Sequence, residues 1–188
     1  MKKLLSFMLA MTLMVCACGC YDYRETEKSY IVSSVGFDQT ERGVLVCFET
    51  ANSSAKRLLF AEGADLNIAY KNLSKQFSKT VDFSHTACVV LGEKLNKKTQ
   101  QQALEFCRDA DRFSLSAHVI KTVDVKAFLS NEPTGITVGF DVLEILKRSK
   151  SEGSVFYKLS ESVEIMMPYF ILTAEGITLL ESRREYIG

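Results

Sequence analysis

Three cysteines, Cys16, Cys18 and Cys20, lie within five residues in "LMVCACGCYDYRE", where an apolar run gives way to charged residues. Closely spaced thiols can bind zinc, form a redox pair or accept a covalent group. A C-x-C-x-C pattern lacks the second pair of ligands that a four-coordinate zinc site needs. The residues on either side of the cysteines therefore decide which chemistry applies.

The residues before the cysteines have the plan of an export signal. "MKKLLSFMLAMTLMV" is a start methionine, two lysines and an apolar run broken only by Ser6 and Thr12. The run is shorter than the roughly 18 residues that cross a bilayer core, and no cationic stop-transfer cluster follows it. We therefore expect residues 1–19 to form a signal peptide and not a permanent membrane span.

The last of the three cysteines is the predicted lipid attachment site. In exported bacterial proteins, a cysteine that follows small residues at the end of the apolar run receives diacylglycerol before the signal is removed. Cys20 follows Ala-Cys-Gly and meets this requirement, and Cys18, after Val-Cys-Ala, is the second choice. Two acyl chains hold a domain at a membrane surface, whereas one chain binds only marginally. A secretory signal without lipid is the alternative.

The other cysteines and the histidines are scattered along the chain. Cys47, Cys88 and Cys107 have no C-x-x-C spacing, so we expect them to pack as small buried hydrophobes. An oxidising exterior would also allow one disulfide, and the sequence does not choose the pair. His85 and His118, the only two histidines, have no second metal ligand at a helical or hairpin spacing. We expect ordinary core or surface roles for both.

The sequence contains none of the motifs that mark common enzyme classes. It has no phosphate-binding G-x-x-x-x-G-K-[ST] loop, no H-E-x-x-H and no G-x-S-x-G. Asp109 and Asp111 are a weak calcium candidate, because Ser114 stands where an EF-hand loop needs glycine. The charges balance, 23 basic against 23 acidic, and do not cluster as nucleic-acid binding requires. We expect no catalysis, metal, cofactor or nucleic-acid partner.

Apolar periodicity predicts strands that alternate with helices in residues 20–188. The class is therefore α/β, or mixed α+β, with small mixed β-sheets packed against helices. A hairpin is expected at 30–51, with a turn whose glycine needs a positive φ, and a loop at 52–63. Further strands are expected at 85–95, ending at Gly92, at 114–123, and at 166–188 around a turn at 175–176. Helices are expected at 64–77, 96–111, 124–131 with Asp124 as N-cap, and 136–150; residues 21–30 form an amphipathic lead-in.

Three segments carry a resemblance through their order: "GCYDYRETEKSYIVSSVGFD", "FSHTACVVLGEKL" and "LEFCRDADRFSLSAHVIKT". Together they resemble the Ger(x)C lipoproteins, the C subunits of nutrient germinant receptors in spore-forming bacteria. Those chains begin with a lipidated cysteine in a "GCWD-R-E" context, and Tyr21 stands here in place of the tryptophan. The matching residues are Gly19, Cys20, Asp22, Arg24, Glu25, Gly36, Asp38, His85, Gly92, Glu93, Leu95, Leu104, Arg108, Asp109 and, with shifted spacing, Arg112.

The resemblance implies a non-enzymatic subunit, lipid-anchored on the outer face of the inner spore membrane. It implies that the chain acts with two integral membrane partners, the A and B subunits of the receptor. Family members are longer, so residues 20–188 are expected to correspond to their N-terminal region without the further C-terminal domain. An extracytoplasmic lipoprotein that binds a small ligand is the first alternative, and an unrecognised surface enzyme is the second.

Overall fold

The computed structural model describes residues 29–51, 57–149, 154–155 and 164–186. The predicted signal peptide, Cys18, Cys20 and most of the amphipathic lead-in lie outside these residues. The elements of the described part are, in chain order, β1 (Ser29–Thr40), β2 (Gly43–Thr50), β3 (Leu58–Gly63), α1 (Leu66–Ser74), β4 (Thr80–Asp82), β5 (Cys88–Gly92), α2 (Lys97–Asp109), β6 (His118–Thr122), α3 (Val125–Ser130), α4 (Val138–Ser149), β7 (Ser154–Val155), β8 (Glu164–Thr173) and β9 (Gly176–Tyr186).

The strands form one mixed sheet in the order β3-β2-β1-β5-β6-β8-β9. β4 pairs with β1, and β7 pairs with β6. Strands β1, β5, β6 and β8 run parallel to one another, while β2, β3 and β9 are added as antiparallel partners. The predicted α/β class is confirmed, and the parallel centre places the carboxyl ends of four strands at one edge.

Helices cover both faces of the sheet. Helices α1 and α2 pack on one face, which includes Val35 and Phe37 of β1. Helices α3 and α4 pack on the other face, against Cys47 of β2 and Val90 of β5. Because side chains alternate along a strand, each central strand contributes to both layers, which explains its nearly continuous apolar sequence.

The first hairpin is confirmed, including its glycine. β1 and β2 are antiparallel from Thr40 paired with Gly43 to Val32 paired with Thr50. Gly43 has φ 122°, and a Cβ there would lie 2.2 Å from the carbonyl oxygen of Gly63. A side chain is therefore excluded both by backbone conformation and by the neighbouring chain.

The prediction of a loop at 52–63 is wrong for residues 58–63. The stretch 58–63 forms strand β3, which pairs with residues 44–49 of β2. Leu59 enters the core, while Phe60 lies at the other face of the pleat beneath the ammonium group of Lys126, 3.7 Å from the ring centroid. The serines and asparagine upstream suggested a loop, but pairing along the exposed edge of β2 decides the conformation.

The four predicted helices are present, each shorter than its predicted range, and the first differs most. Asp124 caps α3, since its carboxylate accepts a hydrogen bond from the N–H of Ala127 at 2.8 Å. The first helix ends at Ser74, so Phe77 lies beyond it, although its ring still stacks on Phe48 at 5.9 Å. The predicted strands at β5, β6, β8 and β9 are also present, and the last hairpin turns at 174–175, one residue before the predicted position.

Helix α4 begins on a buried carboxylate that comes from a distant strand. Glu49 of β2 is 0% exposed, and its two oxygens accept hydrogen bonds from the N–H groups of Val138 at 2.7 Å and Gly139 at 3.1 Å. The hydroxyls of Ser33 and Ser34 also donate to it, at 3.1 and 2.7 Å. A buried charge is costly unless it is fully hydrogen-bonded, and these four donors meet that condition.

We expect Glu49→Gln to destabilise the fold by about 3 kcal/mol, because the amide nitrogen would face N–H or O–H donors inside the core. Urea unfolding followed by circular dichroism measures the loss. The matched control is Glu41→Gln, the same change in the exposed β1–β2 turn, for which we expect a change within about 0.5 kcal/mol. Equal unfolding midpoints for the two variants would contradict this role of Glu49.

Candidate functional site

Two of the segments singled out in the sequence meet at the carboxyl edge of the sheet. β1 and β5 are parallel, and Phe37 lies opposite Leu91. The next residues along each strand, Asp38 and Gly92, therefore come together, and the backbone N–H of Glu93 donates to the carbonyl of Thr122 at 2.8 Å. The G-x-D and G-E segments thus form one cluster although they lie more than fifty residues apart.

The carboxylate of Asp38 holds the start of α3. Its Oδ2 accepts a hydrogen bond from the N–H of Val125 at 3.1 Å, and its Oδ1 accepts one from the N–H of Gln39 at 2.8 Å. The side chain is 7% exposed, and burial raises the pKa of the Asp38 carboxyl above its usual 3.8. The two N–H donors act in the opposite direction, because they favour the charged form.

Glycines at this cluster make room for the carboxylate and for the helix. A Cβ at Gly92 would lie 1.9 Å from Oδ1 of Asp38, which is shorter than any non-bonded contact. A Cβ at Gly36 would lie 2.4 Å from a methyl carbon of Val125 and 2.9 Å from one of Leu129. The two glycines therefore let the carboxylate and α3 approach the backbone of the sheet.

Glu93 connects the end of β5 to the β8–β9 hairpin. Its Oε2 accepts a hydrogen bond from the hydroxyl of Tyr169 at 2.8 Å, and its Oε1 lies 3.6 Å from the guanidinium of Arg183. That guanidinium stacks over the Tyr169 ring, 4.3 Å from its centroid, and donates to Glu181 at 2.7 Å. The Glu93 and Arg183 side chains are about half exposed, so the ion pair contributes little alone and mainly orients the hairpin.

The other residues of the resemblance lie away from this cluster. Leu95 and Leu104 are buried in the core on the α1–α2 face. His85 is exposed in the loop before β5, at the opposite edge of the sheet. Arg108 and Asp109 form an exposed ion pair of 3.7 Å at the end of α2. None of these joins a common site with Asp38.

The described residues contain no group of three or more His, Cys, Asp or Glu side chains placed to bind a metal ion. Cys47, Cys88 and Cys107 are buried and free, as predicted, and burial raises the pKa of each thiol. His118 is half-buried at the start of β6, and burial lowers its pKa. In the part of the chain that the structure covers, no helix is long and apolar enough to cross a membrane.

An open groove of about 1210 Å³ runs between α1 and α2. Its floor is aromatic, with Tyr70 and Phe106 in edge contact at 4.9 Å and Phe83 beside them. Its rim carries charges of both signs, including Lys98 and Glu105. The groove offers apolar contact with a polar rim.

Sequence reasoning missed Glu49, Tyr169 and Arg183. Glu49 ends the otherwise apolar stretch "VLVCFE", and a charge at the end of a strand ordinarily suggests exposure. Tyr169 and Arg183 follow the family segments and lie in a hairpin that carries no motif. A signal existed only for Glu49, because it falls on the same strand face as Leu45 and Cys47, both of which are buried.

We expect Gly92→Ala to destabilise the fold by about 2 kcal/mol, because the added methyl displaces the Asp38 carboxylate from its donors. Chemical denaturation measures the effect. Gly135→Ala is the control, because Gly135 is exposed and a Cβ there would lie 3.0 Å from only one side-chain atom, Oδ1 of Asp141. We expect this variant to change the free energy of unfolding by no more than about 1 kcal/mol. If Gly92→Ala leaves the free energy of unfolding unchanged, the Asp38 carboxylate can move without losing its hydrogen bonds, and the proposed role of Gly92 is wrong.

Asp38→Asn should change how stability depends on pH. Because the native pKa of Asp38 lies above its usual value, this carboxyl adds stability at pH below 3.8, and the contribution is lost as the pH rises through the native pKa. The free energy of unfolding of Asp38→Asn minus that of the parent should therefore rise as the pH increases from 3.8 through the native pKa and then level off. The exposed Asp109→Asn serves as control, and an equal rise there would contradict the assignment to Asp38.

The comparisons with known proteins give one family. The model of the family described as "Spore germination protein N-terminal domain" matches residues 22–172. No curated protein and no solved structure matches the chain. The match spans most of the sequence and includes the whole Asp38, Gly92 and Glu93 cluster. The chain therefore belongs to the spore germination protein N-terminal domain family and contains a Ger(x)C-type N-terminal domain.

Proposed function

We propose that the chain is a lipid-anchored, non-enzymatic subunit of a nutrient germinant receptor. In this proposal it acts by docking to the integral membrane A and B subunits on the outer face of the inner spore membrane. One observation carries it: the family match begins at residue 22, two residues after Cys20, the predicted lipid attachment site. A spore germination domain thus follows directly on a residue suited to lipid attachment.

The roles of the cluster residues support a docking module over an enzyme. Asp38 is occupied by two backbone N–H groups, and Glu93 by a tyrosine and an arginine. A catalytic acid or base needs to reach a proton on a substrate, whereas these carboxylates are engaged in joining elements of the fold. Asp38 and Glu93 therefore maintain the shape of the domain, and a binding partner recognises shape.

A lipid anchor would make a weak protein interface effective. Two acyl chains confine the domain to the membrane surface, and confinement raises its effective concentration near membrane-embedded partners. The interface itself then needs only modest affinity. Loss of the anchor should accordingly impair function without unfolding the domain.

We expect Cys20→Ala to shift the protein from the membrane fraction to the soluble fraction by about tenfold or more, since a two-chain anchor is removed. Nutrient-triggered germination should weaken in parallel, while the urea unfolding midpoint stays the same. Cys18→Ala is the matched control and should leave the protein on the membrane. The reverse pattern would assign the lipid to Cys18.

Two results would contradict the proposal as a whole. One is normal germination by a Cys20→Ala protein that has left the membrane. The other is unchanged germination after deletion of the gene in a strain with no paralogue. Intact mass spectrometry of the protein from its own host adds a direct test, because the anchor requires a mature chain that starts at Cys20 with a diacylglyceryl adduct.

The groove between α1 and α2 favours one second candidate, a lipoprotein that binds a small ligand. Its aromatic floor of Tyr70, Phe83 and Phe106 suits a flat or apolar group, and its rim offers charges of both signs. A thermal-shift screen across metabolites tests this candidate. A stabilising compound whose effect is lost in Tyr70→Ala would support it, and no shift with any compound would remove it.

A further inference from the structure

The amino ends of the central strands form an edge of the sheet that we call the amino edge, built from the start of β1 and the loops 83–87 and 110–117. Backbone hydrogen bonds hold these parts together. The N–H of Ser114 donates to the carbonyl of Phe83 at 3.3 Å, and the N–H of Ala87 donates to that of Ser33 at 2.7 Å. The rings of Phe83 and Phe113 lie 6.0 Å apart beneath the loops. The edge is therefore a defined surface.

The distance between the predicted anchor and the fold limits how the domain can stand on a membrane. Cys20 and Ser29 are nine residues apart in sequence, a span of at most about 30 Å in any conformation. β1 has 12 residues and is about 36 Å long at the usual rise. If the carboxyl edge faced the membrane, the tether would have to run fully extended along β1, because nine residues also separate Ser29 from Asp38 at that edge. The short tether therefore favours orientations in which the amino end of β1 faces the membrane.

Among the orientations that the tether favours, the exposed side chain of Leu115 indicates which surface meets the membrane. It is 61% exposed, the most exposed large apolar side chain of the two loops. Ser114 and Ser116 flank it, with their hydroxyl oxygens 3.0 Å apart, and the buried ring of Phe113 fixes the loop from behind. Transfer of such an apolar side chain from water to the boundary between lipid headgroups and acyl chains has a favourable free energy.

We propose that the amino edge lies on the lipid surface and that Leu115 enters the interface. The proposal rests on the lipid anchor proposed above and adds which face of the domain meets the bilayer. The carboxyl edge, with Asp38 and Glu93, then points away from the lipid.

The charges at the amino edge fit a contact that depends on the anchor. Lys79, Arg108 and Arg112 are matched by Asp82, Asp109 and Asp111 in and beside the two loops. A balanced set gives no net attraction to anionic headgroups, unlike the polybasic clusters that bind such lipids by charge. The edge should therefore stay on the membrane only while the acyl chains hold the domain there.

A single fluorophore can test this orientation. The thiols of Cys47, Cys88 and Cys107 are 0% exposed, so an introduced surface cysteine is labelled selectively in the folded protein. We would purify the lipid-modified Leu115→Cys protein from its host, attach the environment-sensitive dye NBD, and reconstitute it in phosphatidylethanolamine and phosphatidylglycerol vesicles. The matched control is Val123→Cys, which is 50% exposed just after β6 at the carboxyl edge.

We expect NBD at position 115 to emit at shorter wavelength and to be quenched several-fold more by spin-labelled lipid than NBD at position 123. Vesicle flotation is measured in the same samples. A protein that floats but whose position 115 emits as in water, or is quenched no more than position 123, would overturn the membrane-facing edge and leave the anchor standing. A protein that does not float would overturn the anchor and the orientation with it.

Discussion

The architecture depends on carboxylates buried against the first turns of two helices. The carboxylate of Glu49 accepts hydrogen bonds from the first backbone N–H groups of α4, and that of Asp38 accepts one from the first N–H of α3. Both helices of one layer are therefore fixed to the β1–β2 hairpin by hydrogen bonds as well as by apolar contact. The positive end of a helix dipole favours a negative charge at this position. Apolar packing alone tolerates sliding, whereas a carboxylate with a full set of donors has one satisfactory position. These contacts therefore fix where each helix begins.

Glycine is the necessary counterpart of this arrangement. A Cβ at Gly139 would lie 2.4 Å from the hydroxyl of Ser34, which itself donates to Glu49. Gly36 and Gly92 leave the same kind of space around α3 and Asp38. The G-x-D and G-E segments thus encode a carboxylate together with the gap that receives it. This gives a physical reason for their spacing that needs no catalytic role.

Much of the fold could be predicted from the sequence because local patterns agree with the tertiary structure. The apolar runs of β1 and β2 with the turn between them, the N-cap at Asp124 and the apolar face of α1 each depend on neighbours within a few residues. Strand β3 could not be predicted in the same way, since it becomes a strand by pairing with β2. The buried state of Glu49 was equally hidden, because its donors at Val138 and Gly139 lie about ninety residues away. The cluster at Asp38 and Gly92 required the parallel register of β1 and β5.

The three buried thiols have a consequence for chemical durability. Cysteine is oxidised through its thiolate, and the protonated form reacts far more slowly. Cys47, Cys88 and Cys107 are sealed from solvent, with pKa values raised by burial, so almost no thiolate forms and oxidants have no access to the sulfur. Packing cysteine as a small hydrophobe inside this sheet therefore protects these three thiols from cross-linking and oxidation.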